Sequence, residues 1–352
     1  GNLRGILSQY TFSQPADGFQ ILPLETDWWE GPPVDIISST IDSKSITTTS
    51  FTLNWKIDIN SKLEVRWGTN IDTLDSTGNN NTSTNNHTYT LKNLTAATIY
   101  YVQATFIGFI NGVKYRTSSP VQVYATKSNS TGKIDVYFNG SVDHTVATVE
   151  RSKNVGSEGL IETIITLLDS VTETLDITMY NNISIKIVHN INDCYNRGVI
   201  VRIIIDDECT CLSLLDSKIQ IVYRSPELGG RMSNEFIVGD VNNDKAFVLT
   251  GYGGLTKGRN NIIVIHDQSL SRGYLLEFEQ MWSGLFGINK KKLIAPKNYI
   301  VGNSLIELYF SPKGNTTSEI KKTILGAQES IYFALMCRFT RTDLSNAVID
   351  TF

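Results

Sequence analysis

The sequence predicts a multidomain chain in which an all-β sandwich precedes an α/β domain, with the start of a second α/β unit behind it. Three observations carry that reading. From about residue 34 to 126, apolar and polar residues alternate with a period of two, broken by turns rich in Ser, Thr and Asn. Beyond residue 133, continuous apolar runs such as Val199 to Asp206 alternate with segments of helical period, as buried parallel strands and their crossover helices do. The order of patterns that starts at Ile134 starts again at Ile306, which reads as an internal repeat.

Residues 1–33 carry Pro15, Pro23, Pro32 and Pro33 and read as an irregular arm. Its adjacent Trp28 and Trp29 are a candidate binding surface for a carbohydrate, a polymer or a docking partner. In the sandwich, 34–126, Phe51, Leu53 and Trp55 fall on one strand face, and Leu63 to Gly68 supply the partner strand. The stretch from Leu94 to Ala104 is similar to the fibronectin type III pattern Leu-x-Pro-x-Thr-x-Tyr, with Ala96 in place of Pro. That resemblance implies a structural Trp55 and a tyrosine corner at Tyr100, its ring buried and its hydroxyl bonded to backbone. Such modules serve as spacers and binding surfaces. Residues 127–132, Lys-Ser-Asn-Ser-Thr-Gly, read as a short polar linker that permits some relative motion.

The α/β domain spans 133–288. Its strands are read at Ile134 to Asn139, Leu175 to Tyr180, Val199 to Asp206 and Asn261 to Asp267; its helices are read around Leu160 to Leu168, from Ser184 to Arg197 and through Trp282. Between the third and fourth strands lies Arg231-Met232-Ser233-Asn234-Glu235-Phe236-Ile237-Val238-Gly239-Asp240. This segment resembles the phospholipase D signature His-x-Lys-x4-Asp, usually set in Met-His-x-Lys-Phe. Met232, Phe236 and Asp240 match it, while Ser233 and Glu235 replace the His and the Lys. The family's following Gly-Ser-x-Asn element corresponds to Gly251-Tyr252-Gly253-Gly254, so Tyr252 and Gly254 replace both polar groups.

The resemblance, which covers roughly residues 132–285, implies that the reaction has been lost. Phosphodiester cleavage in this family needs an imidazole to attack phosphorus and a cation to offset developing charge on the phosphoryl oxygens. A serine with no neighbouring base attacks poorly, and a glutamate repels phosphate. None of His87, His144, His189 and His266 has Lys two residues on.

Residues 289–352 read as a linker and the beginning of a second half. Ile306 to Ser311 echoes the first strand, Ser318 to Ala327 the first helix, Ile331 to Met336 the second strand and Thr342 to Thr351 the second helix. Because the pattern stops in mid-helix, a continuation of the chain, another protein chain or a second copy in a homo-oligomer is expected to pack on 329–352.

Composition sets further bounds. With 352 residues, 41% of them hydrophobic, there is ample material for two domains with sizeable cores. A net charge of −4 gives no electrostatic footprint for nucleic acid. Lys290-Lys291-Lys292 reads as a solvated linker after a helix rather than a phosphate patch. No stretch approaches the roughly 20 apolar residues of a membrane span. No leader pattern is visible, and a processed, secreted or cell-surface protein is expected.

Smaller signals have ordinary readings beside the sharp ones. Asp240, Asn242 and Asp244 have the spacing of a calcium loop, but Lys245 stands where the loop's glycine belongs and Gly251 at the twelfth position, so a hairpin turn is the stronger reading. Cys194, Cys209 and Cys211 allow a local disulfide or buried free thiols, and Cys337 reads as core. Asn-x-Ser/Thr sequons at Asn80, Asn81, Asn86, Asn93, Asn129, Asn139, Asn182 and Asn315 matter where the host glycosylates. Asp176, Asp206, Asp207 and Glu208 lie at strand ends, where hydrogen-bonding or solvated roles outweigh acid/base work. No cofactor is implied. The function expected is structural, adhesive or assembly-related, on a pseudoenzyme fold. The alternatives are a phosphodiesterase of phospholipase D or nuclease type whose active half lies outside this sequence, and a carbohydrate- or polymer-binding surface protein.

Overall fold

The computed structural model describes residues 5–9, 19–23, 34–140, 145, 153–179, 184–206, 211–224, 232, 234–251, 260–290, 295–332 and 342–351. They divide into two compact units. The first comprises Gly1–Ile46, Ser50–Asn93 and Tyr100–Gln122; the second comprises Thr47–Thr49, Leu94–Ile99 and Val123–Phe352. No helix among the described residues is long and apolar enough to cross a membrane.

In the arm, β1 (Gly5–Gln9) and β2 (Phe19–Pro23) pair antiparallel, Gly5 opposite Pro23 and Gln9 opposite Phe19. This corrects the irregular reading of residues 1–33. Two short apolar runs, Gly5-Ile6-Leu7 and Phe19-Gln20-Ile21-Leu22, satisfy their backbone groups on each other. Trp28 and Trp29 lie outside the described residues.

The first unit is built on β3 (Ile36–Asp42), β4 (Phe51–Gly68), β5 (Ser76–Leu91), β6 (Ile99–Ile110) and β7 (Val113–Ser118). Eighteen-residue β4 is longer than a typical strand because it serves two sets of partners. Its leading half pairs with β3 and the trailing half of β5, and its trailing half pairs with β6 and the leading half of β5. The register of β4 against β5 shifts between Lys56 and Leu63, where the strand changes partners. Alternate residues of β4 are buried on both sides of that bend: Phe51, Leu53, Trp55 and Ile57 before it, Leu63 and Val65 after it. Trp55 meets Phe106 edge-on at 6.2 Å, and Tyr100, 7% exposed, lies 6.4 Å from Phe51.

At the same bend sits a buried polar pair. Ser61 Oγ and His87 Nε2 are 2.9 Å apart, both residues 1% exposed, and His87 stacks obliquely on Phe106 at 5.3 Å.

The second unit is an eight-stranded mixed sheet with helices on both faces. After β8 (Gln122–Ala125), its elements are β9 (Ile134–Phe138), β10 (Lys153–Asn154), α1 (Gly156–Ser170), β11 (Thr174–Met179), α2 (Ile185–Asn196), β12 (Ile200–Ile205), β13 (Gln220–Tyr223), β14 (Phe236–Gly239), β15 (Phe247–Thr250), β16 (Asn261–Ile265) and α3 (Gln268–Trp282). The strand order is β10-β9-β16-β15-β14-β11-β12-β13, with β11, β12 and β13 parallel and β9, β16, β15 and β14 joined antiparallel. Two covered faces account for the continuous apolar runs. On one face, Leu160, Ile164 and Leu168 of α1 and Ile187, Val188 and Ile191 of α2 pack on Leu175, Ile177, Val201 and Ile203. On the other, Leu270, Phe278 and Met281 of α3 pack on Phe236, Val238 and Val248. Each fully buried aliphatic side chain of this kind contributes about 1.5–3 kcal/mol.

Residues 127–132 do not behave as a linker. Ser128 donates to Asp267 Oδ2 at 2.5 Å, Gly132 N donates to His266 O at 3.0 Å, and Lys127 Nζ donates to Gly302 O at 2.6 Å. Gly132 has φ of +65°, and a Cβ there would meet the backbone nitrogen of Gly302 at 2.2 Å. A short polar string is thus part of the second unit's fabric, because buried Asp267 needs its hydroxyl.

The final segment forms a hairpin, β17 (Asn298–Val301) with β18 (Ser304–Glu307), then α4 (Thr316–Leu325) and α5 (Thr342–Thr351). The two helices share a small cluster of Ile324, Leu344 and Ala347. The repeat strand expected at Ile331 to Met336 is not formed at Ile331 and Tyr332, and the rest of it lies outside the described residues. Tyr332 is 91% exposed.

The Ser61–His87 pair makes the first unit acid-sensitive. Burial lowers the His87 pKa below 6.5. The unfolded chain therefore takes up the proton first as pH falls through about 6.5, and folding stability declines with it. Thermal melts from pH 7 to 5 are expected to show a falling midpoint in the parent and a flatter profile in His87→Gln; equal slopes would refute this role.

Candidate functional site

The described part of the segment, Met232 and residues 234–240, leads into β14 at the sheet end that collects the carboxyl ends of β9, β11, β12 and β15 and the amino ends of β14 and β16, since Phe236 pairs with Thr250 and Thr178, and Asn261 with Phe138. In α/β sheets this is where ligands are usually held. The residues that match the signature have structural work there. Met232 is buried, and its amide donates to Asp206 Oδ2 at 2.6 Å. Phe236 is buried against Tyr274, rings edge-on at 5.1 Å. Thr178 Oγ1 accepts from the Phe236 amide at 3.0 Å and fixes where β14 begins.

Asp240, 2% exposed, turns its carboxylate to the segment before β11. It accepts from the amides of Thr172 at 3.0 Å, Glu173 at 2.8 Å and Thr174 at 3.2 Å, and from the Thr172 hydroxyl at 3.0 Å. Its own φ of +49° is the left-handed turn that lets the chain reverse into β15. At Asp240, Asn242 and Asp244, read as a hairpin turn more than as a calcium loop, both Asp240 oxygens accept from amides, and Asn243 Oδ1 accepts from the Lys245 amide at 2.9 Å in an ordinary turn. Among the described residues no cluster of His, Cys, Asp and Glu could hold a metal ion.

The positions that would handle phosphate are different. Ser233, Tyr252 and Gly254 lie outside the described residues. Glu235 is part-buried just before β14, and its carbonyl accepts from Thr250 Oγ1 at 3.3 Å. Of the described imidazoles of the second unit, His189 is exposed on α2, and His266 follows β16 at the opposite end, its pKa lowered by burial and then by Lys133. His144 is outside the described residues.

The second unit also holds a set of buried ion pairs, of which the sequence singles out only the carboxylates Asp176 and Asp206. Asp206 holds Arg224, with Nε at 3.1 Å and the second nitrogen at 3.2 Å, the residues 1% and 6% exposed. Glu277 of α3 holds Lys290 and also accepts from Asn234 Nδ2 at 3.0 Å and Gln280 Nε2 at 3.3 Å. Lys290 is 7% exposed, which corrects its reading as part of a solvated run. Asp176 binds Arg202 at 2.7 Å, and the guanidinium reaches Glu279 at 2.9 Å while lying over Phe278 and Trp282. Burial raises the Asp176 pKa, with Arg202 opposing. The sequence cue was faint: isolated charges flanking apolar runs, at Arg224 after β13 and Glu277 in the middle of α3.

Cys194 is a buried free thiol whose Sγ donates to Leu168 O at 3.3 Å; burial raises its pKa. Of the two readings left open by the sequence, this is the unbridged one. The side chains of Cys209, Cys211 and Cys337 are not described.

Removing the Asp240 carboxylate strands three amides and a hydroxyl. Asp240→Ala should cost roughly 2–4 kcal/mol, and Asp240→Asn, which retains one acceptor, less. Urea denaturation checks this, and a loss below about 0.5 kcal/mol in the alanine variant would be that of an ordinary surface site.

No family model and no curated protein matches the chain. Among solved structures it is similar to a phospholipase D family member, Nuc from Salmonella typhimurium, at 18% identity over 43% of this chain and 95% of that one, with a TM-score of 0.33. NucT from Helicobacter pylori is similar at 13% identity over 43% of this chain and 96% of that one, TM-score 0.32. Polyphosphate kinase from Porphyromonas gingivalis is similar at 11% identity over 55% of this chain and 28% of that one, TM-score 0.36.

Proposed function

We propose that the chain is a non-catalytic protein of the cell surface or extracellular space, structural, adhesive or assembly-related, in which a phospholipase D-like α/β unit is kept as a rigid body. The observation that carries this is a division within one ten-residue segment. The positions that hold the fold, Met232, Phe236 and Asp240, keep both their residue types and buried roles, whereas the two that would act on phosphate are Ser233 and Glu235. Among the described residues, the buried cations Arg224 and Lys290 are each bound to a carboxylate.

The first unit is read as a fibronectin type III-like spacer or binding module. Its strand pairing supports this: β3 and trailing β5 flank leading β4, leading β5 and β6 flank trailing β4, and β7 pairs with β6, all within one six-stranded sheet. Partners are read as proteins meeting the α4–α5 segment; nucleic acid is not among them, given a net charge of −4.

Two experiments test the proposal. Purified chain incubated with a generic phosphodiester, a phospholipid, and single- and double-stranded DNA should give no turnover above buffer; turnover abolished by Ser233→Ala would replace this reading with a serine-based enzyme. For the module, Tyr100→Phe should destabilise by on the order of 1–3 kcal/mol through loss of the hydroxyl's bond. A chemical denaturation curve that superimposes on the parent would remove Tyr100 from the corner role.

A further inference from the structure

The β6–β7 hairpin ends in an apolar tip. The pairing of β4 with β6 reaches Gly108, opposite Ser61, and residues 109–114 pair with one another beyond it. The turn is Asn111-Gly112, with φ of +50° and +81°, a two-residue hairpin geometry that these two residue types favour. Of the four residues flanking it, three are Phe109, Ile110 and Val113, and the fourth is Lys114. Phe109 is 64% and Val113 55% exposed. Single exposed apolar side chains are ordinary, but the residues around a solvated turn are usually polar. Here apolar groups occupy both faces of the tip: Phe109 stands opposite Lys114 on one, and Ile110 opposite Val113 on the other.

One rung behind the tip lie two cations. Ile107 is flanked by Lys62 on one side and Arg116 on the other, on the same face as Phe109 and Lys114, because residues directly opposite and residues two apart share a face. Lys62 and Lys114 are exposed, as is most of the Arg116 side chain. The carboxylate beside them is Glu64, which Arg116 holds at 3.0 Å. The ten residues from Ile107 to Arg116 contain no Asp or Glu. Asp35 and Asp58, joined through their backbones, lie with β3 and the leading half of β4, before the bend. Three cations against one carboxylate reverse locally the sign of a chain whose net charge is −4.

A tip that is apolar on both faces and backed by cations fits the boundary between hydrocarbon and anionic headgroups better than a one-sided protein groove. The apolar groups need apolar surroundings all round, and the cations need anions one rung back. The spacing agrees. The rung at Ile107 lies two residues, roughly 7 Å, behind Phe109, and interfacial anchors bury their apolar groups about 5–10 Å into the headgroup boundary. A lysine level with the tip has a stem long enough to bring its ammonium back to the headgroups.

We propose that the β6–β7 tip is a docking wedge for a membrane surface rich in anionic lipid, with Phe109, Ile110 and Val113 entering the acyl boundary and Lys62, Lys114 and Arg116 meeting the headgroups. The wedge is independent of whether the chain cleaves phosphodiesters.

The test is co-sedimentation of the full chain with vesicles of phosphatidylcholine alone and, separately, of phosphatidylcholine mixed with phosphatidylserine. Binding to the mixed vesicles is expected, weakening as salt rises, with far less to the neutral ones. Phe109→Ser combined with Val113→Ser, both at exposed positions, should weaken it at least roughly tenfold, and Lys114→Gln about fivefold. A parent chain left in the supernatant by both kinds of vesicle, or affinity unchanged in both variants, would overturn the proposal. Retention on dextran sulfate without vesicle binding would overturn it too, and would assign the cations to a soluble acidic partner.

Discussion

The Asp240 carboxylate is the constraint on which the second unit turns. It ends β14, reverses the chain into β15, and gathers the three amides that open β11. A buried carboxylate without such donors would face a large desolvation penalty. With them it links a hairpin to a strand more than sixty residues earlier and thereby sets the register in which Phe236 meets Thr178. The consequence for function is positional. Met232 and Glu235 are held at the end of the sheet by this arrangement, whatever chemistry they do or do not perform.

The same end of the sheet stores charge in pairs. Asp206 with Arg224 and Glu277 with Lys290 are each almost wholly buried. Such pairs contribute little net stability compared with apolar packing, but losing one partner is strongly destabilising because the other charge is left alone. They therefore lock the neighbourhood electrostatically. The two pairs differ in geometry. Both Asp206 oxygens grip the guanidinium, whereas Lys290 gives a single hydrogen bond, to Glu277, among the described residues.

The first unit solves a different problem with its long strands. A single strand of eighteen residues crosses the module and buries alternate side chains on both sides of a bend. The bend is where the Ser61–His87 pair sits, since the shift in pairing leaves polar atoms to be satisfied inside the core. The position of the buried histidine thus follows from the strand's change of partner.

The sequence by itself determined the class of each segment, because periodicity reports burial directly. Alternation put Phe51, Leu53 and Trp55 on one buried face, and the unbroken run after Val199 marked a strand covered on both sides. It also located the altered signature, which is a matter of residue identity alone. What it could not reach were pairings between distant residues, since a lone Lys or Arg looks the same whether solvated or buried. Lys290 read as one of three solvated lysines and proved to be buried against Glu277, and residues 127–132 read as linker because nothing local announces that Ser128 meets Asp267. Asp240 likewise carried a calcium spacing in its own segment while its acceptors were committed to another. Those outcomes were decided by which strands lie side by side, and only the tertiary structure fixes that.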